Sequence, residues 1–470
     1  MSDRKPLIRV AAGDTAALLA QLREAVLFDE GALAVLPVPG DTEPAADDLG
    51  AGFVPAEVAL VVETSGSTDA PKRVMLSGAA LRASAHATEQ WFGGQRGQWL
   101  LALPATYIAG AQVLVRSILA GTAPVVLPQG GFTPEAFVAA ARTLDPDHPW
   151  FTSLVPVQLA RLVDAAERDR SVGTALGSFD RILLGGQAAP PGLVERARAL
   201  GAQVHRTYGS SETAGGCVYD GHPLPRVGVR VVDGEVQLSG PTLAIGYLED
   251  PERTAAAFTT DADGTRWYRT GDLGELVPDV AAAAAATADD AEARDTDARA
   301  PRFPDLLRIT GRADDVVISG GVKVALGEVE RAVRSVAGFE AAVVLPVADP
   351  EWGERPAVVV ERADAAASAP RTDPADHAAA DPVRLEPPAD DGAHLRDPSI
   401  FARPDASTAE HRRIDGSTAL AALAAATDAA GLPPAGRPVR LVILDRLPQL
   451  ASGKPDRRAL AALVAREATS

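Results

Sequence analysis

At 470 residues the chain exceeds what a single domain ordinarily holds, and two or three domains are expected. A net charge of −18 excludes holding nucleic acid through a general basic surface, though not binding one nucleotide in a locally basic cleft. A single cysteine, Cys217, excludes an intramolecular disulfide and fits a reducing compartment. No charged-then-apolar leader opens the chain and no run approaches a membrane span, so a cytoplasmic protein is expected.

Residues 1–57 carry weak signals: a helix over Thr15–Leu27, a strand over Ala32–Leu36, then a Pro/Gly/Asp-rich loop. From Val58 the pattern becomes regular. The apolar run Val58–Val62 reads as a buried strand. It is followed by Thr64-Ser65-Gly66-Ser67-Thr68-Asp69-Ala70-Pro71-Lys72, and then by a helical spacing through Leu81, Ala85, Thr88 and Phe92. A loop of hydroxyls and glycine closed by lysine suits a polyphosphate, because backbone N–H groups and hydroxyls can surround the oxygens while an ammonium neutralises charge. A Ser/Thr surface turn is the bland alternative.

Strands at Trp99–Leu103, Ala123–Leu127, Trp150–Val155, Arg181–Leu184 and Gln203–Arg206 then alternate with helices at Gly110–Leu119, Pro134–Leu144, Pro156–Arg168 and Pro191–Leu200. This is the pattern of βαβ units around a mainly parallel sheet, whose ligands bind beyond the carboxyl ends of the strands. Pro104–Gly110, Gly185–Ala189 and Tyr208–Thr213 occupy those ends. After Cys217 the short runs Val227–Val232, Glu235–Leu238 and Trp267–Tyr268 suggest a small β subdomain. Residues 280–300 and 362–430 are rich in Ala and Asp, poor in large apolar residues, and read as flexible insertions. Between and after them lie strands at Leu306–Thr310, Val316–Ser319 and Val439–Leu444, an α/β unit over 328–360, and a closing helix at Arg457–Ala465.

Lysine usage singles out three positions. The chain holds only Lys5, Lys72, Lys323 and Lys454, so its general basic needs are met by arginine. The last three each lie in a Gly-containing segment, where a compact point charge serves a purpose that a planar guanidinium does not.

Six segments, in order from about residue 58 to 468, resemble the adenylate-forming acyl/aryl-CoA ligases of the AMP-binding superfamily. They are Thr64–Lys72; Tyr208-Gly209-Ser210-Ser211-Glu212-Thr213; Gly234-Glu235 through Gly246-Tyr247; Tyr268-Arg269-Thr270-Gly271-Asp272; Ile309-Thr310-Gly311-Arg312-Ala313-Asp314-Asp315; and Ser452-Gly453-Lys454. Each is weak alone, and the six together are specific. Asp69 departs from the pattern, standing where the family usually has glycine.

The resemblance implies an α/β enzyme with a large N-terminal domain, 1–311, and a smaller mobile α+β domain, 312–470, turning about a hinge at Asp314. It implies ATP, Mg²⁺ and coenzyme A, and two steps: a carboxylate attacks the α-phosphate to give an acyl adenylate, and the CoA thiol then displaces AMP. The carboxylate is already nucleophilic, so catalysis is positioning and charge stabilisation. Lys454 is the implied catalytic cation. Thr64, Ser65, Gly66, Ser67, Thr68 and Lys72 are implied phosphate contacts, and Tyr208, Gly209, Ser211, Glu212, Thr213, Asp272 and Arg312 nucleotide contacts, with Glu212 also the Mg²⁺ ligand. A helix-start glutamate and a turn-capping aspartate are the alternatives for Glu212 and Asp272. Ser319, Gly320, Gly321 and Lys323 are the implied CoA contacts, an edge-strand lysine being the alternative for Lys323.

Within the family the resemblance is to the members that act on o-succinylbenzoate in menaquinone biosynthesis. The phosphate loop begins near residue 64, Tyr107 stands where histidine is usual, and Arg116 lies in an apolar helix at a position where those members carry a basic residue. Such an acid has a second carboxylate that needs a cation. Tyr107, Arg116, Gly185, Gly186, Gln187 and Ser210 are the implied acid-binding set, a solvent-facing arginine being the alternative for Arg116. Another aryl or small-acid CoA ligase, an adenylation domain loading a carrier protein, and a non-catalytic scaffold stay open. The expected partners are the carboxylic acid, ATP and CoA, with a homodimer as the candidate assembly.

Overall fold

The computed structural model describes residues 4–28, 31–40, 50–64, 72–128, 132–279, 305–362, 416–450 and 454–467. The chain opens with β1 (Arg4–Ala11), α1 (Thr15–Leu27), β2 (Ala34–Val38), β3 (Gly50–Pro55), β4 (Val58–Thr64) and β5 (Lys72–Ser77), followed by α2 (Gly78–Trp91). β4 and β5 are antiparallel, with Thr64 opposite Lys72. The segment expected to hold phosphates therefore connects two antiparallel strands, and Lys72 opens a strand, not a helix. α2 starts one strand later, where the Ser77 hydroxyl accepts from the Ala80 N–H at 3.0 Å. Six residues are too few for periodicity to separate a strand from the start of that helix, and the buried run Val74-Met75-Leu76 belongs to the strand. Residues 65–71, with Ser65, Gly66, Ser67, Thr68 and the departing Asp69, lie outside the described residues.

β6 (Gln98–Leu101), α3 (Ile108–Ala120), β7 (Val125–Val126), α4 (Pro134–Ala141), β8 (Trp150–Leu154), α5 (Pro156–Ala166), α6 (Arg170–Gly177), β9 (Arg181–Leu184), α7 (Leu193–Ala199) and β10 (Val204–Ser210) form the alternating region. α6 is an addition to the expected elements. The order β12-β11-β10-β9-β8-β6-β7 is parallel from β7 to β10, and antiparallel where β11 (Gly215–Tyr219) and β12 (His222–Pro223) extend it. α3 packs against α1, α2, β6, β8 and β11. A helix apolar on all faces belongs in such a place. Its entry is tight: a Cβ on Gly110 would lie 2.3 Å from the Pro104 carbonyl oxygen. Gly110→Ala is expected to cost about 3 kcal/mol through overpacking against backbone, read from urea unfolding.

The chain then forms β13 (Gly228–Val232), β14 (Glu235–Ser239), β15 (Gly246–Tyr247), α8 (Pro251–Ala257), β16 (Phe258–Thr260), β17 (Arg266–Pro278) and β18 (Asp305–Arg312). β15 returns to the first sheet beside β5, making that sheet mixed in the order β15-β5-β4-β2-β1-β3. The others make the small antiparallel β13-β14-β17-β16 unit, with β18 on β17.

β18 runs through a short turn, Ala313–Asp315, into the C-terminal unit: β19 (Val316–Ser319), β20 (Val322–Ala325), α9 (Leu326–Arg334), β21 (Val343–Asp349), β22 (Gly353–Glu361), α10 (Gly416–Ala429), β23 (Arg440–Leu444) and α11 (Arg457–Glu467). α10 occupies the last part of the segment 362–430, most of which reads as flexible from the sequence. Its alanines favour helix without large side chains, and Ala419 and Leu423 anchor it in the core. The remaining residues of the two insertions, 280–304 and 363–415, lie outside the described residues. Among the described residues no helix is long and apolar enough to cross a membrane.

Candidate active site

The carboxyl ends of β9 and β10 set the floor of the site. Gly185 follows β9, and a Cβ there would lie 2.4 Å from the Thr207 Oγ1, so the turn must be bare. At Gly209, on β10, a Cβ would lie 2.2 Å from the Gly215 carbonyl oxygen, which lets the strand double back into β11. The turn between is tied by Thr213: its Oγ1 accepts from the Ser210 N–H at 2.9 Å and donates to the Gly215 carbonyl at 2.8 Å.

That turn presents Glu212, whose side chain accepts from the Tyr247 hydroxyl at 2.8 Å, while its carbonyl accepts from the Ala244 N–H at 2.8 Å. Lys72 Nζ stands 5.9 Å from the centre of the Tyr247 ring, which places the lysine of the phosphate hairpin on the same side as Glu212. Tyr247 is missing from the residues expected at the site. Its only signal is its place in the Gly246-Tyr247 segment.

Asp272 sits across from this turn on β17. The Tyr208 hydroxyl donates to its Oδ2 at 2.7 Å and Arg312 Nη1 to its Oδ1 at 3.2 Å. Burial raises its pKa above the ordinary carboxylate value, against the pull of Tyr208 and Arg312. Both oxygens keep further lone pairs for additional donors. Arg312 also grips Asp314 with two N–H groups, Nε to Oδ1 at 2.7 Å and Nη2 to Oδ2 at 3.1 Å. This forked pair is the main reason its pKa is raised.

Lys454 reaches this group from the C-terminal unit. Its Cε would lie 3.7 Å from a Cβ on Gly186, which holds φ +88°. Desolvation is the largest influence on its ammonium and lowers its pKa, Arg312 adds to the lowering, and Asp272 and Glu212 oppose it. The residue keeps solvent access while its charge is crowded by the N-terminal unit. The structure thus gathers Lys72, Tyr208, Glu212, Asp272, Arg312 and Lys454 around one space, with Gly185 and Gly186 below.

The Ser319–Lys323 segment is fixed differently. Gly320 (φ +57°) and Gly321 (φ +81°) form the two-residue turn of the β19–β20 hairpin. A Cβ on Gly320 would meet the Trp352 ring at 2.6 Å, and Lys323 is exposed. The Gly320 N–H donates to the Trp352 carbonyl at 2.8 Å, and β19 pairs with β22 where Ser319 stands opposite Gly353.

A second polar line runs inward from the site along α3. Tyr107 caps the helix, and Ile108, Gln112 and Arg116 follow at four-residue spacing on one face. Gln112 Nε2 donates to the Ala214 carbonyl at 2.8 Å. Arg116 is 6% exposed, which excludes the solvent-facing alternative. Its Nη2 reaches Thr88 Oγ1 at 3.3 Å and the Tyr219 hydroxyl at 3.4 Å, and its guanidinium lies 5.1 Å from the Trp99 ring centre. No carboxylate pairs with it among the described residues, and burial lowers its pKa. Ser84 Oγ, Gln112 Oε1, Arg116 Nε and Ser210 Oγ are all buried without a hydrogen-bond partner among the described residues. Unsatisfied buried groups of this kind cost stability unless something meets them. Ser84, Thr88, Gln112 and Tyr219 are not among the residues expected from the sequence. The helical spacing back from Arg116 would have found Gln112, whereas the others come from separate elements.

Comparison with known proteins follows the same lines. The profile of the family described as AMP-binding enzyme matches residues 10–248. A "Probable 2-succinylbenzoate--CoA ligase" of Mycobacterium tuberculosis is 37% identical over 353 residues, covering 74% of this chain and 82% of that protein. The 2-succinylbenzoate--CoA ligase of Escherichia coli is 29% identical over 320 residues, 66% of this chain and 60% of that one. In overall fold the chain is similar to a single-residue variant of E. coli MenE with bound OSB-AMS, with a TM-score of 0.63 at 22% identity, covering 98% of this chain and 88% of that one.

Proposed function

The chain belongs to the AMP-binding enzyme family, and from that premise we propose that it ligates o-succinylbenzoate to coenzyme A through an acyl adenylate, releasing AMP and pyrophosphate. The observation that carries this reading is the arrival of Lys454, from a separate unit of the chain, among Glu212, Asp272 and Arg312. One cation at that point can bridge an acid's carboxylate and the α-phosphate. As the carboxylate oxygen bonds to phosphorus and the bond to pyrophosphate breaks, Lys454 holds the charge that builds on the phosphoryl oxygens. Asp272 accepts from the ribose hydroxyls with the lone pairs left by Tyr208 and Arg312. The Thr64–Lys72 hairpin loop receives the departing phosphates.

A hard carboxylate oxygen suits Mg²⁺, and Glu212 offers one in a place fixed by Tyr247. Among the described residues no three His, Cys, Asp or Glu side chains are arranged to hold a metal, so Glu212 would share the ion with phosphate oxygens, where it neutralises their charge. For the second step, residues 312–470 turn about Asp314, withdraw Lys454, and bring the Ser319–Lys323 hairpin towards the adenylate, whose acyl carbon the CoA sulfur attacks as AMP leaves.

Arg116 supports the choice of acid. A buried cation with no carboxylate partner is costly, and a substrate carrying a second carboxylate supplies one. By helical rise Arg116 lies about 9 Å beyond Gly110, deep enough for an acid with an arm and a ring between its carboxylates. A cavity of about 30 Å³, room for little more than water, lies beside Arg116 on the side of Gln95, Arg96 and Gly97. The test is AMP and thioester production with ATP, CoA and a panel of acids. Turnover of o-succinylbenzoate is expected, and turnover of benzoate or octanoate without it would reject the assignment.

A further inference from the structure

We propose that Arg457 is a positioning residue for adenylate formation, locking the Lys454 loop to the hinge of the C-terminal unit. The inference rests on the role given to Lys454 above.

The backbone around Lys454 is closed by its own hydrogen bonds. The Leu450 N–H donates to the Lys454 carbonyl at 2.8 Å, the Asp456 N–H donates to the Pro448 carbonyl at 2.9 Å, and Gln449 bridges Pro455. These bonds tie Lys454 to Pro448–Leu450 but do not set where that group stands in the unit. A lysine has four rotatable side-chain bonds, so its ammonium is placed only as well as the backbone beneath it.

Arg457, three residues on at the start of α11, supplies the missing anchor. Its Nη1 donates to the Val344 carbonyl at 3.1 Å on β21, and its Nη2 to Glu330 Oε2 at 2.7 Å on α9. Nη1 also lies 3.4 Å from Asp315 Oδ2. Glu330 is itself held, accepting from the Val344 N–H at 3.0 Å and pairing with Arg334 at 2.8 Å. Its side chain is only 13% exposed, so this pair is set apart from a freely hydrated surface pair. Asp315 directly follows Asp314, the residue gripped by Arg312. One guanidinium therefore joins the Lys454 loop, the main helix and sheet of the unit, and the turn about which the unit moves. Two hydrogen bonds and one close ionic contact from a single planar group suit an arginine fork, which a point-charge ammonium does not reproduce.

The consequence is a split between the two half-reactions. Lys454 serves only the first, so a lock that acts through Lys454 matters only there. A residue that merely holds the C-terminal unit together would affect both, because the second needs the same unit to deliver the β19–β20 hairpin.

The experiment measures each half-reaction in the full-length protein: ATP–pyrophosphate exchange with o-succinylbenzoate, and thioester formation from synthetic acyl adenylate and CoA. For Arg457→Ala the exchange rate is expected to fall roughly a hundredfold, as a displacement of about 1 Å in a reacting group can cause, with thioester formation changed less than about threefold. Arg457→Lys keeps the charge and should lose about tenfold in exchange alone. If Arg457→Ala does not fold, Arg457→Lys decides. Equal losses in both half-reactions, or undiminished exchange in both variants, overturns the proposal. Failure of the wild-type protein to exchange with o-succinylbenzoate would reject the substrate instead, and the split is then read with whichever acid supports exchange.

Discussion

Lys454→Ala is expected to lower acyl-adenylate formation roughly a hundred- to thousandfold, the usual loss when one preorganised donor to a developing oxyanion is removed. ATP should still bind, because Lys72, Glu212 and Asp272 lie on the N-terminal unit and do not depend on Lys454 for their hydrogen bonds. The readouts are pyrophosphate exchange for chemistry and calorimetric ATP binding for affinity. An unchanged exchange rate would remove Lys454 from the mechanism. Thioester formation from synthetic adenylate should survive, since the proposed rotation withdraws the lysine for the second step. The pH dependence follows from the sign of the shift. Desolvation and Arg312 place the pKa of Lys454 below that of an ordinary lysine, so the cation is lost as pH rises through that lowered value. kcat/KM for adenylation should therefore decline on the alkaline side earlier than an ordinary lysine would dictate, and Lys454→Ala should abolish that limb. With ATP bound, its phosphates favour the charged form, and the decline in kcat should begin at higher pH than the decline in kcat/KM.

Arg116→Met should raise the KM for o-succinylbenzoate roughly thirty- to a thousandfold, the range expected when one partner of a buried charge pair is removed. An acid without the second carboxylate should show no such rise. The same substitution carries a second expectation of opposite sign for the unliganded protein. Arg116 is a desolvated cation with no carboxylate beside it among the described residues, and methionine of similar length removes that burden. Thr88 and Tyr219 keep their mutual hydrogen bond at 2.9 Å. Thermal unfolding of the ligand-free variant is therefore expected at an equal or higher temperature, while the stabilisation that o-succinylbenzoate gives the wild type is lost. An arginine serving only the core would show the reverse: a less stable variant with an unaltered KM.

Much of the site is legible in sequence because its chemistry is written locally. A glycine that must approach backbone closely, as Gly209 approaches Gly215, cannot be exchanged for another residue, and a lysine kept among arginines marks a need for an ammonium. The β19–β20 turn is visible in Gly320-Gly321 for the same reason. Other features escape because short stretches are ambiguous. β5 has too few residues to reveal its period, and α10 is built on alanine with Leu423 as its main buried anchor. Arg116 lay between two readings because a helix's periodicity says which residues share a face but not what covers it.

What the sequence by itself determined is the family, the order of its motifs and the alternation of strands and helices, since these depend on neighbours a few positions apart. Only the tertiary structure decided which partners those residues have. Tyr247 meets Glu212 across 35 positions, Gln112 meets Ala214 across 102, and Arg457 meets Glu330 across 127. The chain folds these pairs together through packing of separate sheets, and burial then turns an arginine in an apolar helix into a desolvated charge at the end of a polar line. Charge, hydrogen bonding and desolvation act through space, so their outcome is set by the assembled fold.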